Sequence, residues 1–113
     1  VEIKAVDGSA NPYLALGALV AAGLDGIGRA LDPGEPLAAN PHDLSDEERD
    51  RRHIRRYPST LAEAIAELER DQVLLDALGP ALAREFLAVR RAEWDDLGNL
   101  PVEQQIAAYF RRY

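Results

Sequence analysis

The sequence predicts a mainly α-helical protein with one N-terminal β-strand, and three observations support this fold class. Apolar and charged residues alternate over residues 1–6, a helix-start signal at Asn11-Pro12 precedes a long apolar run, and apolar residues recur at spacings of three and four through residues 60–110. Alternation is typical of a strand with one buried face, and the three-four spacing is typical of an amphipathic helix. We therefore expect one strand followed by several helices.

The strand is predicted over residues 1–6. Glu2, Lys4 and Val6 share one of its faces, because side chains two residues apart in a strand point to the same side. The opposite face is apolar and consists of Val1, Ile3 and Ala5. Residues 7–10 follow as a turn.

A long helix is predicted over residues 12–31. Asn11 is a favourable N-cap, and Pro12 suits the first helical position because a missing N–H costs nothing there. Asp32-Pro33-Gly34 ends the helix. Apolar residues occupy most of its sides, which is typical of a buried helix, and its alanines and glycines allow close neighbours. We expect other elements to cover it on several faces.

The sequence of residues 32–58 predicts a long charged loop. They contain four prolines and two blocks of charged residues. Ser45 followed by Glu48 can cap one short helix within the loop. Five arginines between residues 49 and 56 could bind an anion, although a solvated segment compensated by the neighbouring acids is the favoured interpretation.

Further helices are predicted over residues 60–94. Thr60 and Glu63 form a capping-box pattern, Asp71 can cap a second helix that Gly79 closes, and Pro80 opens a third. In the third helix Arg90 is expected to face outward, and the helix is expected to end near Trp94. After Pro101, a tail helix over residues 102–113 has an apolar face suited to a partner surface.

Length and composition exclude several classes of protein. With 113 residues the chain fits one domain at most, and its net charge of -7 disfavours nucleic acid as a partner. The longest uncharged apolar stretch, residues 13–24, is shorter than the roughly 20 residues that cross a membrane. The absence of Cys permits a reducing cytoplasm, where we expect the protein to reside. Because the sequence contains no Met, we expect a piece of a longer protein or a processed product.

Few residues form a pattern that carries chemistry. No nucleophile elbow or phosphate-binding glycine loop is present, and the two histidines, His42 and His53, lack the further ligands of a zinc site. Glu2 and Lys4 remain, because a carboxylate can bind a divalent cation and an ammonium can bind a phosphate or carboxylate. On spacing alone, a solvent-exposed pair is the favoured alternative.

A long motif resembles a known family. Residues 2–27, with a strand leading into Ala10-Asn11-Pro12-Tyr13-Leu14-Ala15 and ending in Ala22-Gly23-Leu24-Asp25-Gly26-Ile27, closely resemble the end of the glutamine synthetase catalytic domain. Further similar segments follow in the same order. They are Pro33-Gly34-Glu35, residues 40–48, residues 58–64, Leu78-Gly79 and residues 90–94.

The resemblance implies a C-terminal fragment, residues 1–113, of the α+β catalytic domain of a class I type glutamine synthetase or related ligase. Members of that family join ammonia to glutamate through a γ-glutamyl phosphate, using ATP and Mg²⁺ or Mn²⁺. The resemblance assigns Glu2 as a metal ligand. It also implies that the fragment alone is inactive and that its partners are the rest of the domain and other subunits of a ring-shaped homo-oligomer.

Two positions depart from the family pattern. Lys4 stands where the family usually has a substrate-binding arginine, and lysine cannot reproduce the planar fork of a guanidinium. From its position, the resemblance assigns Lys4 to substrate binding. Because its ammonium differs from the guanidinium, a γ-glutamyl-amine or polyamine ligase remains an alternative. His42 replaces the tyrosine that many bacterial members adenylylate, so no adenylylation is expected. A non-catalytic helical interaction module is a further alternative.

Overall fold

The structure, a computed structural model, describes residues 3, 5–8 and 10–110. In this part of the chain six α-helices follow one another, with a short 3-10 helix at Pro41–Asp43 between the first two. The α-helices are α1 (Pro12–Gly28), α2 (Asp46–Arg51), α3 (Leu61–Arg70), α4 (Gln72–Leu78), α5 (Pro80–Leu97) and α6 (Val102–Tyr109). The mainly helical class predicted from the sequence is therefore confirmed.

The predicted N-terminal strand is not shown. Val1, Glu2 and Lys4 lie outside the described residues, and Ile3, Ala5 and Val6 belong to no strand. A strand satisfies its backbone hydrogen bonds by pairing with another strand. The described residues form no strand that could serve as that partner.

Local signals determine where α1 begins and ends. The Asn11 side chain accepts hydrogen bonds from the backbone N–H groups of Tyr13 at 3.0 Å and Leu14 at 3.3 Å. At the other end Leu31 N–H donates to the Gly26 carbonyl at 2.9 Å, and Ala30 has a left-handed φ of 50°. This hydrogen bond closes a Schellman motif. The helix therefore ends three residues before the predicted end at residue 31.

The structure leaves α1 largely exposed, which differs from the predicted burial. None of its residues is buried. One side packs against α4, and Leu14, Ala18 and Ala21 on α1 are half-buried. Among the described residues no further element covers the other sides, so this apolar helix is exposed in the structure.

Residues 32–58 contain two short helices within the predicted loop. Asn40 caps the 3-10 helix by accepting from His42 N–H at 3.1 Å, and Ser45 caps α2 by accepting from Glu48 N–H at 3.2 Å. The cap at Ser45 is the one predicted from the sequence. Helix α2 ends at Arg51, and His53, two residues further on, lies in the left-handed region at φ 56°.

The small core lies where α3, α4 and α5 pack together. Its buried apolar residues are Ile65 on α3 and Ala83, Leu87 and Leu97 on α5. Asp71 ends α3 and caps α4 by accepting from Leu74 N–H at 3.0 Å, while Gly79, at φ 76°, joins α4 to α5. Helix α5 continues to Leu97, three residues beyond Trp94.

Helix α6 ends at Tyr109. The last part of the predicted tail helix, residues 111–113, lies outside the described residues. Among the residues that the structure describes, no helix is long and apolar enough to cross a membrane.

Candidate functional site

Both site residues predicted from the sequence, Glu2 and Lys4, lie outside the described residues. The structure does describe the connection that follows them. Ala10 N–H donates to the Asp7 carbonyl at 3.1 Å, which closes a turn, and the Asn11 carbonyl accepts from Ala15 N–H at 3.0 Å. The segment that carries Glu2 and Lys4 is thus joined by a short turn to the start of α1.

A groove of about 1360 Å³ opens beside this connection. Asp7 and Asn11 line the groove, and residues of α1, α3, α4, α5 and α6 form the rest of its wall. Most of the wall is apolar. The larger apolar side chains that line it include Leu14, Leu68, Leu74, Leu78, Phe86 and Ile106. A surface of this kind suits apolar packing better than it suits a small polar ligand.

One ion pair lies in the groove. Arg90 Nη1 is 2.8 Å from the Glu93 carboxylate, and Glu93 is only 6% exposed. The Arg90 guanidinium also lies 5.6 Å from the centre of the Phe86 ring, within the range of a cation–π interaction. The prediction that Arg90 faces outward is therefore incorrect, because its side chain turns along α5 toward Glu93 and Phe86.

The sequence contained a signal for this pair. Arg90 and Glu93 are three residues apart, so they are neighbours on a helix surface. Glu93 also follows Phe86 by seven residues and therefore lies on the apolar side of α5. An acid on the apolar side of a helix needs a partner, and the arginine one turn earlier provides it.

A second, smaller cavity of about 240 Å³ lies between the start of α3 and the end of α5. Its wall includes Ser59, Thr60, Glu93, Trp94 and Tyr109, and is more polar than that of the groove. Glu93 thus lines both cavities, as do Leu61 and Tyr109.

The capping box at the start of α3 forms part of this wall. Thr60 Oγ1 accepts from Glu63 N–H at 3.2 Å, as the sequence predicts. The Glu63 carboxylate accepts from Ser59, from its N–H at 2.7 Å and from its hydroxyl at 2.9 Å. These hydrogen bonds favour the charged form and lower the pKa of Glu63 below its usual value.

The arginines of residues 49–56 are paired with carboxylates. Asp46 pairs with Arg49, whose hydrogen bond and charge lower the pKa of Asp46. Arg52 Nε lies 2.7 Å from Glu48, and Arg55 lies 3.1 Å from Glu67 on α3. The two remaining arginines also have acidic partners, Glu48 for Arg51 and Asp46 for Arg56. This pairing supports a charge-compensated segment over an anion site.

The described residues form no group of three or more His, Cys, Asp or Glu side chains that could hold a metal ion. They therefore do not fit a metal centre by themselves, and any metal bound through Glu2 needs ligands from elsewhere. His42 is exposed in the 3-10 helix. Its side chain is an imidazole and lacks the phenol hydroxyl that is adenylylated in tyrosine.

Comparison with known families matches residues 1–109 to the family described as glutamine synthetase, catalytic domain. Similar proteins include the glutamine synthetase of Methanocaldococcus jannaschii, 38% identical over 96% of this chain and 24% of the relative. The glutamine synthetase of Thermus thermophilus is 38% identical over 99% of the chain and 25% of the relative.

A third relative has a different name. The gamma-glutamylpolyamine synthetase of Streptomyces coelicolor is 41% identical over 100% of this chain and 24% of the relative. The chain thus spans about a quarter of the length of each of these relatives.

Proposed function

Because the chain belongs to the glutamine synthetase family, an enzyme family of ligases, we propose that it is the C-terminal part of the catalytic domain of an ATP-dependent glutamate–ammonia ligase. The observation that carries this proposal is the match to the family's catalytic domain over residues 1–109. The proposed reaction forms glutamine through a γ-glutamyl phosphate.

We propose that the complete ligase uses ATP and Mg²⁺ or Mn²⁺, with Glu2 as one metal ligand. A carboxylate suits these ions because both prefer hard oxygen ligands. The remaining ligands would come from parts of the ligase outside this chain, in keeping with the lack of a metal-binding group among the described residues. When bound, the metal would offset negative charge on the transferred phosphoryl group.

A second candidate reaction is the ligation of glutamate to an amine or polyamine. Two observations favour it: the 41% identity to a gamma-glutamylpolyamine synthetase, and a lysine at residue 4 in place of the family's arginine. An ammonium cannot form the two parallel hydrogen bonds that a guanidinium makes to a carboxylate. Lys4 would therefore hold a substrate carboxylate or phosphate less rigidly and change substrate choice.

We also propose that the 113-residue chain alone is inactive and that catalysis needs the rest of the domain. The apolar groove and the exposed α1 support this, because both present surface that a complete domain would bury. Other subunits of a ring-shaped homo-oligomer would contact the tail from residue 102 onward. The proposed location is the cytoplasm.

The experiment is an assay of ADP release by the intact ligase that contains this chain. Glutamate is supplied with ammonia, alkylamines or polyamines in separate reactions, and glutamate alone is the blank. Release with ammonia supports the first reaction, and release with polyamines only supports the second. The absence of release with every amine would reject both reactions in favour of a non-catalytic interaction module.

Lys4→Arg tests the role of this position in the same assay. We expect the ratio of kcat/KM values for ammonia and polyamine to change. A ratio unchanged for every amine would show that Lys4 does not select the substrate.

A further inference from the structure

Asn11 lies where the N-terminal part of the chain enters the first turn of α1. Its side-chain oxygen accepts hydrogen bonds from the backbone N–H groups of Tyr13 at 3.0 Å and Leu14 at 3.3 Å, and its carbonyl accepts from Ala15 N–H at 3.0 Å. Its own backbone is extended, at φ -62° and ψ 115°. The chain therefore changes from extended to helical at this residue, and Asn11 holds the two parts together.

The hydrogen bond to Leu14 links this cap to the packing of α1. Leu14 is half-buried and lines the groove together with Leu74 and Leu78 of α4. Helix α1 packs against α4, and α4 packs against both α3 and α5, which contain the buried core. The position of the first turn of α1 thus determines where the preceding segment leaves the helical part of the chain.

The first turn of α1 depends on the cap at Asn11. This turn contains no acidic side chain that could satisfy its N–H groups. The helix also includes four glycines, each of which lowers helix propensity by roughly 1 kcal/mol relative to alanine. A side-chain cap contributes about 1 kcal/mol. We therefore expect the first turn to fray when the cap is removed.

The backbone on the other side of Asn11 forms a turn. Ala10 N–H donates to the Asp7 carbonyl at 3.1 Å, so the turn and the cap follow each other directly. Glu2 precedes Asp7 by five residues. Unwinding one residue of α1 lengthens the connection by about 2 Å, the difference between the extended and helical rise per residue. Metal–ligand distances tolerate only about 0.2 Å, so this change is large for a metal ligand.

We propose that Asn11 is a positioning residue for Glu2. The inference rests on the proposed function, in which Glu2 is a metal ligand of the complete ligase. By capping α1, Asn11 fixes the point from which the segment of residues 1–6 departs, and it thereby keeps Glu2 within reach of the metal. Asn11 acts through the backbone and does not itself bind the metal.

Binding of Mn²⁺ alone to the intact ligase, measured by equilibrium dialysis without substrates, tests this role. Glu2→Ala identifies the binding step concerned, because it should weaken that step. We expect Asn11→Ala to weaken the same step about tenfold. Asn11→Asp should stay within about twofold of the wild type, since a carboxylate oxygen can accept the same two hydrogen bonds.

Asn40→Ala is the matched control. Asn40 also precedes a proline, and its side chain caps the 3-10 helix by accepting from His42 N–H at 3.1 Å. Its variant loses a cap of the same kind at a different place in the chain. We expect Asn40→Ala to bind Mn²⁺ as the wild type does, and a loss equal to that of Asn11→Ala would overturn the inference.

Kinetics distinguishes positioning from a loss of folded enzyme. Misplacement of Glu2 should raise the Mn²⁺ concentration that gives half-maximal ADP release about tenfold, while kcat at saturating Mn²⁺ stays within about threefold of the wild type. A loss of folded enzyme would lower kcat and leave the half-maximal concentration unchanged, and this result in Asn11→Ala would contradict a positioning role.

The double variant Glu2→Ala, Asn11→Ala shows whether Asn11 acts through Glu2. It should bind Mn²⁺ as weakly as Glu2→Ala alone, because two residues that act on one ligand do not have additive effects. Additive losses, or wild-type affinity in Asn11→Ala, would overturn the inference while weaker binding by Glu2→Ala still supports the proposed function. Wild-type Mn²⁺ binding in Glu2→Ala would reject the proposed role of Glu2 and the inference with it.

Discussion

Arg90 Nη1 lies 2.8 Å from the carboxylate of Glu93, one turn along α5, and the buried Glu93 lines both cavities. A charged group in such a place is tolerated only with a partner, because burial removes its hydration. Both residues line the apolar groove. Glu93 also lines the smaller cavity at the start of α3, together with Thr60 and Trp94.

Removal of one member of this pair should destabilise the chain strongly. We expect Arg90→Met to lower the free energy of unfolding by about 2–4 kcal/mol, because it leaves the Glu93 carboxylate buried without its nearest cation. Urea unfolding measures the loss. The double variant Arg90→Met, Glu93→Leu should recover most of it, since a buried ion pair and an apolar pair of similar volume often have similar stability. A loss below about 0.5 kcal/mol in the single variant would contradict the importance of the pair.

Ala30→Gly should stabilise the end of α1. Ala30 has φ 50°, a left-handed conformation that costs a residue with a Cβ about 1 kcal/mol relative to glycine. We expect a gain of about 1 kcal/mol in thermal or urea unfolding. Ala22→Gly within α1 is the control and should lose about 1 kcal/mol. A loss in Ala30→Gly as large as that of the control would show that residue 30 is not left-handed.

Gly98→Ala should destabilise the junction of α5 and α6. A Cβ at residue 98 would lie 2.5 Å from Trp94 Cε3 and 2.7 Å from the Trp94 carbonyl oxygen. The ring or the helix end must therefore move, which we expect to cost about 1–3 kcal/mol and to change the fluorescence of the single tryptophan. Gly26→Ala is the control, because a Cβ there meets nothing within 4 Å. Unchanged fluorescence and stability in Gly98→Ala would refute the close approach of Trp94.

The Glu63 carboxylate should make stability depend on pH in the acid range. Its hydrogen bonds from Ser59 lower its pKa in the folded chain, so folding favours the charged form. The resulting stability is present above the pKa of the unfolded chain and is lost as pH falls through the lower, folded pKa. Glu63→Gln should therefore flatten the fall in stability below about pH 4.5. An unchanged slope in Glu63→Gln would contradict this role.

Local signals in the sequence were sufficient to place most helix boundaries. Asn11, Ser45, Thr60 and Asp71 each cap a helix through their own side chains, and such contacts depend on neighbours within three residues. The end of α1 could not be predicted in this way, because alanine is an unusual residue for the left-handed position that Ala30 occupies.

Which side chains are buried was less predictable than the helix boundaries. The apolar character of α1 indicated burial, but burial depends on how much other chain is available to cover the helix. The expectation that Arg90 faces outward was wrong because the buried Glu93 carboxylate needs a cation beside it. The roles assigned to Glu2 and Lys4 depend on the family resemblance alone, because both residues lie outside the described part of the chain.

Glutamate-dependent ADP release by the intact ligase, compared between the wild type and Glu2→Ala, tests the proposed function most directly. A metal ligand should be essential, so we expect Glu2→Ala to lower turnover at least about 100-fold at limiting Mg²⁺ or Mn²⁺, with partial recovery at high metal concentration. Glu47→Ala, which removes a carboxylate from the exposed side of α2, should retain wild-type turnover. Wild-type turnover and metal dependence in Glu2→Ala would contradict the proposed role of Glu2.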